Sequence, residues 1–101
     1  MLEANEGLEN IFENAVKEAE KRRHEYVTIE HVLLALIKDQ SIGTVLHDFK
    51  IKVGALIKDV EDYLDTKCND IVSKGKEPMT PRKTASLERL MNRAFTQALF
   101  Q

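Results

Sequence analysis

Apolar side chains recur along this chain at the spacing of an α-helix, in five separate segments. In the first segment they lie three, four, seven and eight positions apart, which is the pattern of a helix with one buried face. Its members are Leu8, Ile11, Phe12, Ala15, Val16 and Ala19. We therefore expect a first helix over about residues 8–23. Acidic residues early in this segment and basic residues late in it complement the helix dipole.

The second segment has the most continuous apolar run. The stretch HEYVTIEHVLLAL, residues 24–36, begins with polar residues and then becomes almost entirely apolar. Thr28 is a typical N-cap residue and Glu30 lies in the first turn that would follow it, so a helix is expected over residues 29–37. Because apolar residues cover nearly every face, this helix should be the buried, central one.

Two shorter stripes follow, and each predicts another helix. Ile42, Val45, Leu46 and Phe49 fit a third helix with Ser41 as its cap. Val53, Leu56, Ile57, Val60 and Leu64 fit a fourth.

The periodicity is lost over residues 66–83, which contain Gly75, Pro78 and Pro81 and are predicted to form a linker. A fifth helix, capped by Thr84 or Ser86, should follow. No segment alternates like a strand for long, so the predicted fold class is all-α, a bundle of about five helices.

The fifth segment repeats the first. The pattern Leu-Glu-x-apolar-apolar-x-x-Ala-apolar-x-x-Ala occurs at residues 8–19 and again at residues 87–98. The stripe alone is common to amphipathic helices, but the shared Leu-Glu start and both alanines favour a duplication. Small residues at these positions are expected where one helix approaches another closely.

Length, charge and cysteine content narrow the class of protein. The 101 residues suffice for one small domain, and the net charge of −2 leaves no basic face for nucleic acid. No apolar run reaches the roughly 18 residues of a membrane span, and the acidic N-terminus lacks the basic region of a signal peptide. The single cysteine, Cys68, forms no internal disulfide. These features favour a cytoplasmic protein.

The chain contains few groups that suggest chemistry. His24 and His31 are seven residues apart across a helix break, whereas a zinc-binding helix needs two histidines four residues apart, so no metal site is predicted. Cys68 has no neighbouring base, and no nucleophile–base pair or cofactor loop is evident. We therefore predict no cofactor, no catalytic residue and no enzyme. His31 is expected to be partly buried and hydrogen-bonded to a backbone group.

Several polar residues at the start of the central helix have two interpretations. Glu30 either stabilises the helix dipole alone or also contacts a partner. Tyr26 either packs in the turn between the first two helices or is exposed as an aromatic anchor. The basic run at residues 21–23 is expected to be a solvated helix end, with a partner contact as the alternative.

The segment HEYVTIEHVLLAL, preceded by NAVKEAEKRR, resembles the N-terminal domain of Clp unfoldases of the ClpA type. TASLERLMNRAF resembles the start of the second repeat of that domain. The resemblance implies a fold of two four-helix repeats. By this comparison residues 1–65 would be the first repeat, 66–83 a linker and 84–101 the first helix of a truncated second repeat. No GxxxxGK[ST] loop occurs, so the ATPase modules are absent from this chain, which is either a fragment or a free-standing relative.

The resemblance further implies that the domain docks the ClpS adaptor or protein substrates. The positions matching the adaptor-facing surface of such domains are Glu25, Glu30 and Thr84, with Arg89 one turn into the fifth helix. His24 and Tyr26 adjoin this set and complete the predicted partner-binding residues. A decoy or regulator of the unfoldase, or a structural oligomer without Clp binding, is the alternative function.

The fifth helix raises the question of what covers its apolar face. Exposing several large apolar side chains would forfeit roughly 1.5–3 kcal/mol each. We therefore expect either a homodimer through helix 84–101, or a monomer in which this helix folds onto the first repeat.

Overall fold

The chain folds into five α-helices joined by short connections, which confirms the predicted all-α class. The computed structural model describes the backbone of residues 2–99 and the side chains of residues 6–97. The helices are α1 (Leu2–Lys21), α2 (Ile29–Lys38), α3 (Gln40–Asp48), α4 (Val53–Thr66) and α5 (Ala85–Leu99). A 3₁₀ turn, Asn69–Ile71, and two short strands, β1 (Tyr26–Val27) and β2 (Arg82–Lys83), lie between them.

Helix α2 is the central element, as its apolar sequence predicts. Val32 and Ala35 face one core cluster, which also contains residues of α1 and α5. Leu34 and Ile37 face a second cluster, which also contains residues of α4. One helix thus connects both halves of the core, and this position accounts for its nearly continuous apolar run.

Helix α5 packs against α1 with the stripe that repeats the stripe of α1. Leu87 is completely buried, and Met91 packs on the same cluster as Ala15. The rings of Phe12 and Phe95 lie with their centroids 5.6 Å apart. The apolar face on which the dimer expectation relied is covered in part within the chain, because Met91 and Phe95 pack toward α1 whereas Leu90 is 43% exposed. Leu99 and Phe100, which belong to the same face, lie outside the described side chains, so the homodimer stays a prediction. The last repeat position, Ala98, lies outside the described side chains.

The segment 66–83, predicted to be a linker, makes specific contacts with the end of α1. The Arg23 guanidinium donates to the carbonyl oxygens of Gly75 (2.6 Å) and Glu77 (3.0 Å), and the Ser73 N–H donates to the Arg23 carbonyl (2.7 Å). Cys68, which lies in this segment, is buried in the second core cluster. The lost periodicity therefore reflects irregular backbone that is held by side chains and by backbone hydrogen bonds.

A network of charged residues joins α1, α2 and α4. Glu18 accepts hydrogen bonds from Arg22 and Lys38, each at 2.8 Å, and Arg22 also donates to Asp65 at 2.6 Å. Lys38 forms a second ion pair with Glu61 at 3.2 Å. Burial opposes ionisation of Glu18, but the hydrogen bonds from Lys38 and Arg22 prevail and lower its pKa.

Two details of the sequence prediction are wrong. The run at residues 21–23 is not simply a solvated helix end, because Arg22 is nearly buried in the charged network and Arg23 holds the following segment with a left-handed backbone conformation (φ 57°). Helix α3 is capped by Asp39 rather than Ser41, since the Asp39 carboxylate accepts the N–H of Ile42 at 3.2 Å.

Candidate functional site

The two short strands place the beginnings of α2 and α5 side by side. β1 and β2 are parallel, with Tyr26 opposite Arg82 and Val27 opposite Lys83. The Thr84 N–H extends this pairing by donating to the Val27 carbonyl at 3.1 Å. Each strand leads through a single threonine into a helix, so the two helix N-termini start from one common edge. The residues that reach the surface around this edge include Glu25, Tyr26, Glu30, Thr84 and Arg89. We call the surface that they form the paired-terminus face.

Thr84 is the N-cap of α5, which decides between the two residues that the sequence left open. Its hydroxyl oxygen accepts the N–H of Leu87 at 3.2 Å, and its carbonyl accepts the N–H of Glu88 at 2.9 Å. Threonine is a favoured residue at this position because its side chain satisfies a helix donor that otherwise has no partner. Glu88 in the first turn adds a favourable charge near the helix dipole.

Thr28 is the N-cap of α2, as predicted, and a buried histidine completes that cap. The Thr28 N–H donates to Nδ1 of His31 at 2.9 Å, which is the reciprocal half of a capping box. Since this Nδ1 accepts a hydrogen bond, the proton of the neutral ring is on Nε2. Nε2 lies 2.8 Å from Nδ1 of His24, so we assign a hydrogen bond from His31 to His24.

Both histidines are nearly inaccessible to solvent, and their surroundings favour the neutral rings. Burial, together with the charges of His24 and Arg22, lowers the pKa of His31 to about 4. Burial and the charge of Arg22 also lower the pKa of His24. The pair thus acts as a structural clamp that fixes the turn from α1 into α2.

Five of the six residues predicted to bind a partner have side chains that reach the surface. Glu25, Tyr26 and Arg89 are exposed, whereas Glu30 and Thr84 are half-buried. The sixth, His24, is buried against His31 and lies beneath this surface. We therefore treat His24 as a residue that positions its neighbours, and the proposal below rests on the other five.

Tyr26 is substantially exposed (42%), which favours the anchor interpretation over packing within the turn. It lines a surface depression together with Glu25, Met79 and Arg82. The backbone of Glu25 is held from both sides, because its N–H donates to the Ile71 carbonyl at 2.6 Å and its carbonyl accepts the N–H of Arg82 at 2.9 Å. An acidic, a basic and an aromatic side chain are thus presented on a fixed backbone.

A second depression on the paired-terminus face was not predicted from the sequence. Ile29 of α2 and Leu90 of α5 are both exposed there, and Arg89 and Arg93 flank them. Sequence reasoning placed Ile29 in the buried run of α2 and Leu90 in the apolar stripe of α5. Their positions at the junction of two helices depend on the pairing of β1 with β2, which leaves no periodic signal in the sequence.

The arrangement offers charged, aromatic and aliphatic contact groups at the surface. Among the described residues there is no cluster of three or more His, Cys, Asp or Glu that could hold a metal ion. Cys68 is buried in the other core cluster, and burial together with the nearby charge of Glu30 raises the pKa of its thiol. No helix within the described part of the chain is long and apolar enough to cross a membrane.

Comparison with known proteins assigns this architecture to a family. The family model of the Clp repeat (R) N-terminal domain matches residues 3–99. The chain belongs to this Clp repeat family. Proteins of the family use the domain as a non-catalytic module for protein interaction.

A curated relative is consistent with the ClpA-type resemblance. It is a "ClpA homolog protein" from Fuscovulum blasticum, which is 33% identical to this chain over 89 residues. The alignment covers 86% of this chain but only 11% of the relative. The chain therefore spans only about a tenth of the length of that relative.

Proposed function

We propose that this Clp repeat domain docks a ClpS-type adaptor, or protein substrates, for ATP-dependent unfolding and proteolysis. The docking surface would be the paired-terminus face, with Glu25, Tyr26, Glu30, Thr84 and Arg89 as contacts. The observation that supports this assignment most is the β1–β2 pairing, which joins the acidic start of α2 to the arginine-bearing start of α5 on one rigid edge.

The chemistry of this face suits recognition of another folded protein. Ile29 and Leu90 are exposed apolar side chains flanked by the guanidinium groups of Arg89 and Arg93. Glu25 lines the other depression of this face together with Arg82. Interfaces typically combine an apolar centre with a polar rim, and the charged rim guides encounter and selects partners. We further propose that the domain contributes binding and no catalytic step of its own.

The charge contribution is tested by titration calorimetry of the 101-residue chain with purified ClpS. The double variant Glu25→Lys/Glu30→Lys should weaken binding by about tenfold or more, with a slower association rate at low salt. The matched control Glu13→Lys/Glu20→Lys makes the same change in net charge on the exposed surface of α1 and should bind normally. Absence of binding by the unmodified chain, or equal binding by the two double variants, contradicts the proposal.

The aromatic contribution is tested with two tyrosines of matched exposure. Tyr26 is 42% exposed on the paired-terminus face, and Tyr63 is 46% exposed on α4. Tyr26→Ala should weaken adaptor binding by about tenfold, as expected for an aromatic anchor, while Tyr63→Ala should leave it unchanged. An adaptor that depends on Tyr63 instead would move the docking site away from the paired-terminus face.

A further inference from the structure

A separate groove lies between α2 and α4. It is lined by Glu30 and Leu33 of α2 and by Asp59, Val60 and Tyr63 of α4. It is a shallow, open depression with a volume of about 390 Å³. We call this feature the α2–α4 groove.

The apolar side chains that line the groove, Leu33 and Tyr63, are not needed to fill the hydrophobic core. The core-facing residues of the same two helices, Leu34, Ile37 and Leu64, are buried in the second cluster. Leu33 and Tyr63 instead keep more than two fifths of their surface exposed. Exposed apolar side chains that adjoin one another in a groove are characteristic of interaction sites, whereas isolated ones are ordinary.

The two charged residues that line the groove have the same sign. Both polar residues that line it are carboxylates, and neither takes part in an ion pair in the described part of the chain. No Lys or Arg is among the described residues that line it.

We propose that the α2–α4 groove binds a segment of a partner protein in which an aliphatic or aromatic side chain is flanked by Lys or Arg. The apolar side chain would cover Leu33 and Tyr63, and the flanking cations would pair with Glu30 and Asp59. An arginine or lysine over the Tyr63 ring adds a cation–π contact. Charge complementarity selects this occupant, because an acidic segment would bring like charges together.

This proposal does not depend on adaptor docking. The groove shares only Glu30 with the paired-terminus face, so its tests use the other lining residues. Binding of an adaptor and binding of a basic segment can therefore fail separately.

The probe is a fluorescein-labelled peptide of twelve residues with a central Phe-Leu pair, two Lys on each side and Gly-Ser ends. Fluorescence polarisation with the 101-residue chain should give saturable binding that weakens as salt is added. Two control peptides replace either the four Lys by Glu or the Phe-Leu pair by Ser-Asn, and neither should bind. Equal binding of the acidic peptide would overturn the proposed chemistry.

Variants of the chain locate the binding site. Tyr63→Ala and Asp59→Lys should each weaken binding of the basic peptide by about tenfold. Both residues are exposed, so the fold should persist, which circular dichroism verifies. Tyr26→Ala and Glu13→Lys are the matched controls and should bind as the unmodified chain does. Binding that is unaffected by Tyr63→Ala and Asp59→Lys would overturn the proposal.

A second copy of this chain is the other occupant to consider. Phe49 and Ile51 are exposed beside Lys50 and Lys52, so the chain itself carries an apolar segment with adjacent cations. Sedimentation velocity at high concentration distinguishes the two cases. A monomer supports a different partner, whereas a dimer abolished by both Phe49→Ser and Tyr63→Ala would replace our proposal with self-association.

Discussion

Nε2 of His31 lies 2.8 Å from Nδ1 of His24, and Nδ1 of His31 accepts the N–H that opens helix α2. Nδ1 of His24 and Nδ1 of His31 can accept these hydrogen bonds only when they carry no proton. The helix cap and the bond between the histidines therefore both require neutral rings. A proton on Nδ1 of either ring would place two donors face to face. The start of α2 is therefore sensitive to acid.

The free energy of unfolding should fall as the pH is lowered from 7.5 to 5. The pKa of His31 is about 4 in the folded state and near 6.5 when unfolded, so the unfolded state binds more protons between these values. Stability is therefore complete above pH 6.5 and declines as the pH falls toward 4. The expected loss at pH 5 is on the order of 2 kcal/mol, measured by urea unfolding.

Two variants test the origin of this dependence. His31→Gln should lower stability at pH 7.5 and flatten the decline between pH 7.5 and 5. His47, which is exposed on α3, is the control, and His47→Gln should keep the decline unchanged. A decline of equal size in His31→Gln would assign it to other groups.

Removing the N-cap side chain of α5 should lower the free energy of unfolding by about 1 kcal/mol. Thr84→Ala leaves the Leu87 N–H without its hydroxyl acceptor, whereas Thr84→Ser retains an oxygen at the same position. Thermal unfolding should show a lower Tm for the alanine variant and nearly the original Tm for the serine variant. Faster amide exchange in the first turn of α5 should accompany the loss.

Replacing either of two leucines of α5 by alanine should have very different effects on the free energy of unfolding. Leu87 is 0% exposed and packs on α1, so Leu87→Ala should destabilise the fold by about 2–5 kcal/mol. Leu90 is 43% exposed, and Leu90→Ala should change stability by only about 0.5 kcal/mol. Denaturant unfolding checks both variants. Equal effects would contradict the observed packing of α5.

The stability contributed by the charged network should depend on Arg22 much more than on the neighbouring Lys21. The Arg22 side chain is 8% exposed and bonds to both Glu18 and Asp65, while the Lys21 side chain is 63% exposed and 3.7 Å from Glu18. Arg22→Leu should cost about 1–3 kcal/mol. Lys21→Leu should cost about 0.5 kcal/mol or less, because solvent screens that pair. Unfolding at low and high salt provides the measurement.

The sequence predicts those parts of the fold that are determined by local chemistry. The helical stripes follow from periodicity, and Thr28 and Thr84 are recognisable caps because a hydroxyl beside the first turn suits the free backbone donors. The repeat of the α1 pattern in α5 identifies side chains that pack together, such as Phe12 and Phe95. Glu25, Glu30, Thr84 and Arg89 were found through the family resemblance and Tyr26 through its aromatic side chain, and their binding role stays a prediction.

The parts that were missed depend on contacts between distant segments. Two-residue strands such as Tyr26–Val27 show no alternation, and their pairing is determined by how residues 66–83 cross the end of α1. For the same reason the sequence did not indicate that Cys68 and Arg22 would be buried, or that Ile29 and Leu90 would share a depression. Each of these environments is completed by residues from another part of the chain.

The parallel pairing of residues 26–27 with residues 82–83 also constrains when the fold can form. The backbone of residues 25–27, just before α2, forms hydrogen bonds with Ile71, Arg82 and Thr84. These partners are synthesised much later than residues 25–27. Closing so long a loop is a slow step, since its entropy is lost before the contacts are gained. On a ribosome the nascent α1–α2 pair would remain incomplete until α5 begins to emerge, and pulsed hydrogen exchange should protect the amides of Glu25 and Thr84 in one late phase.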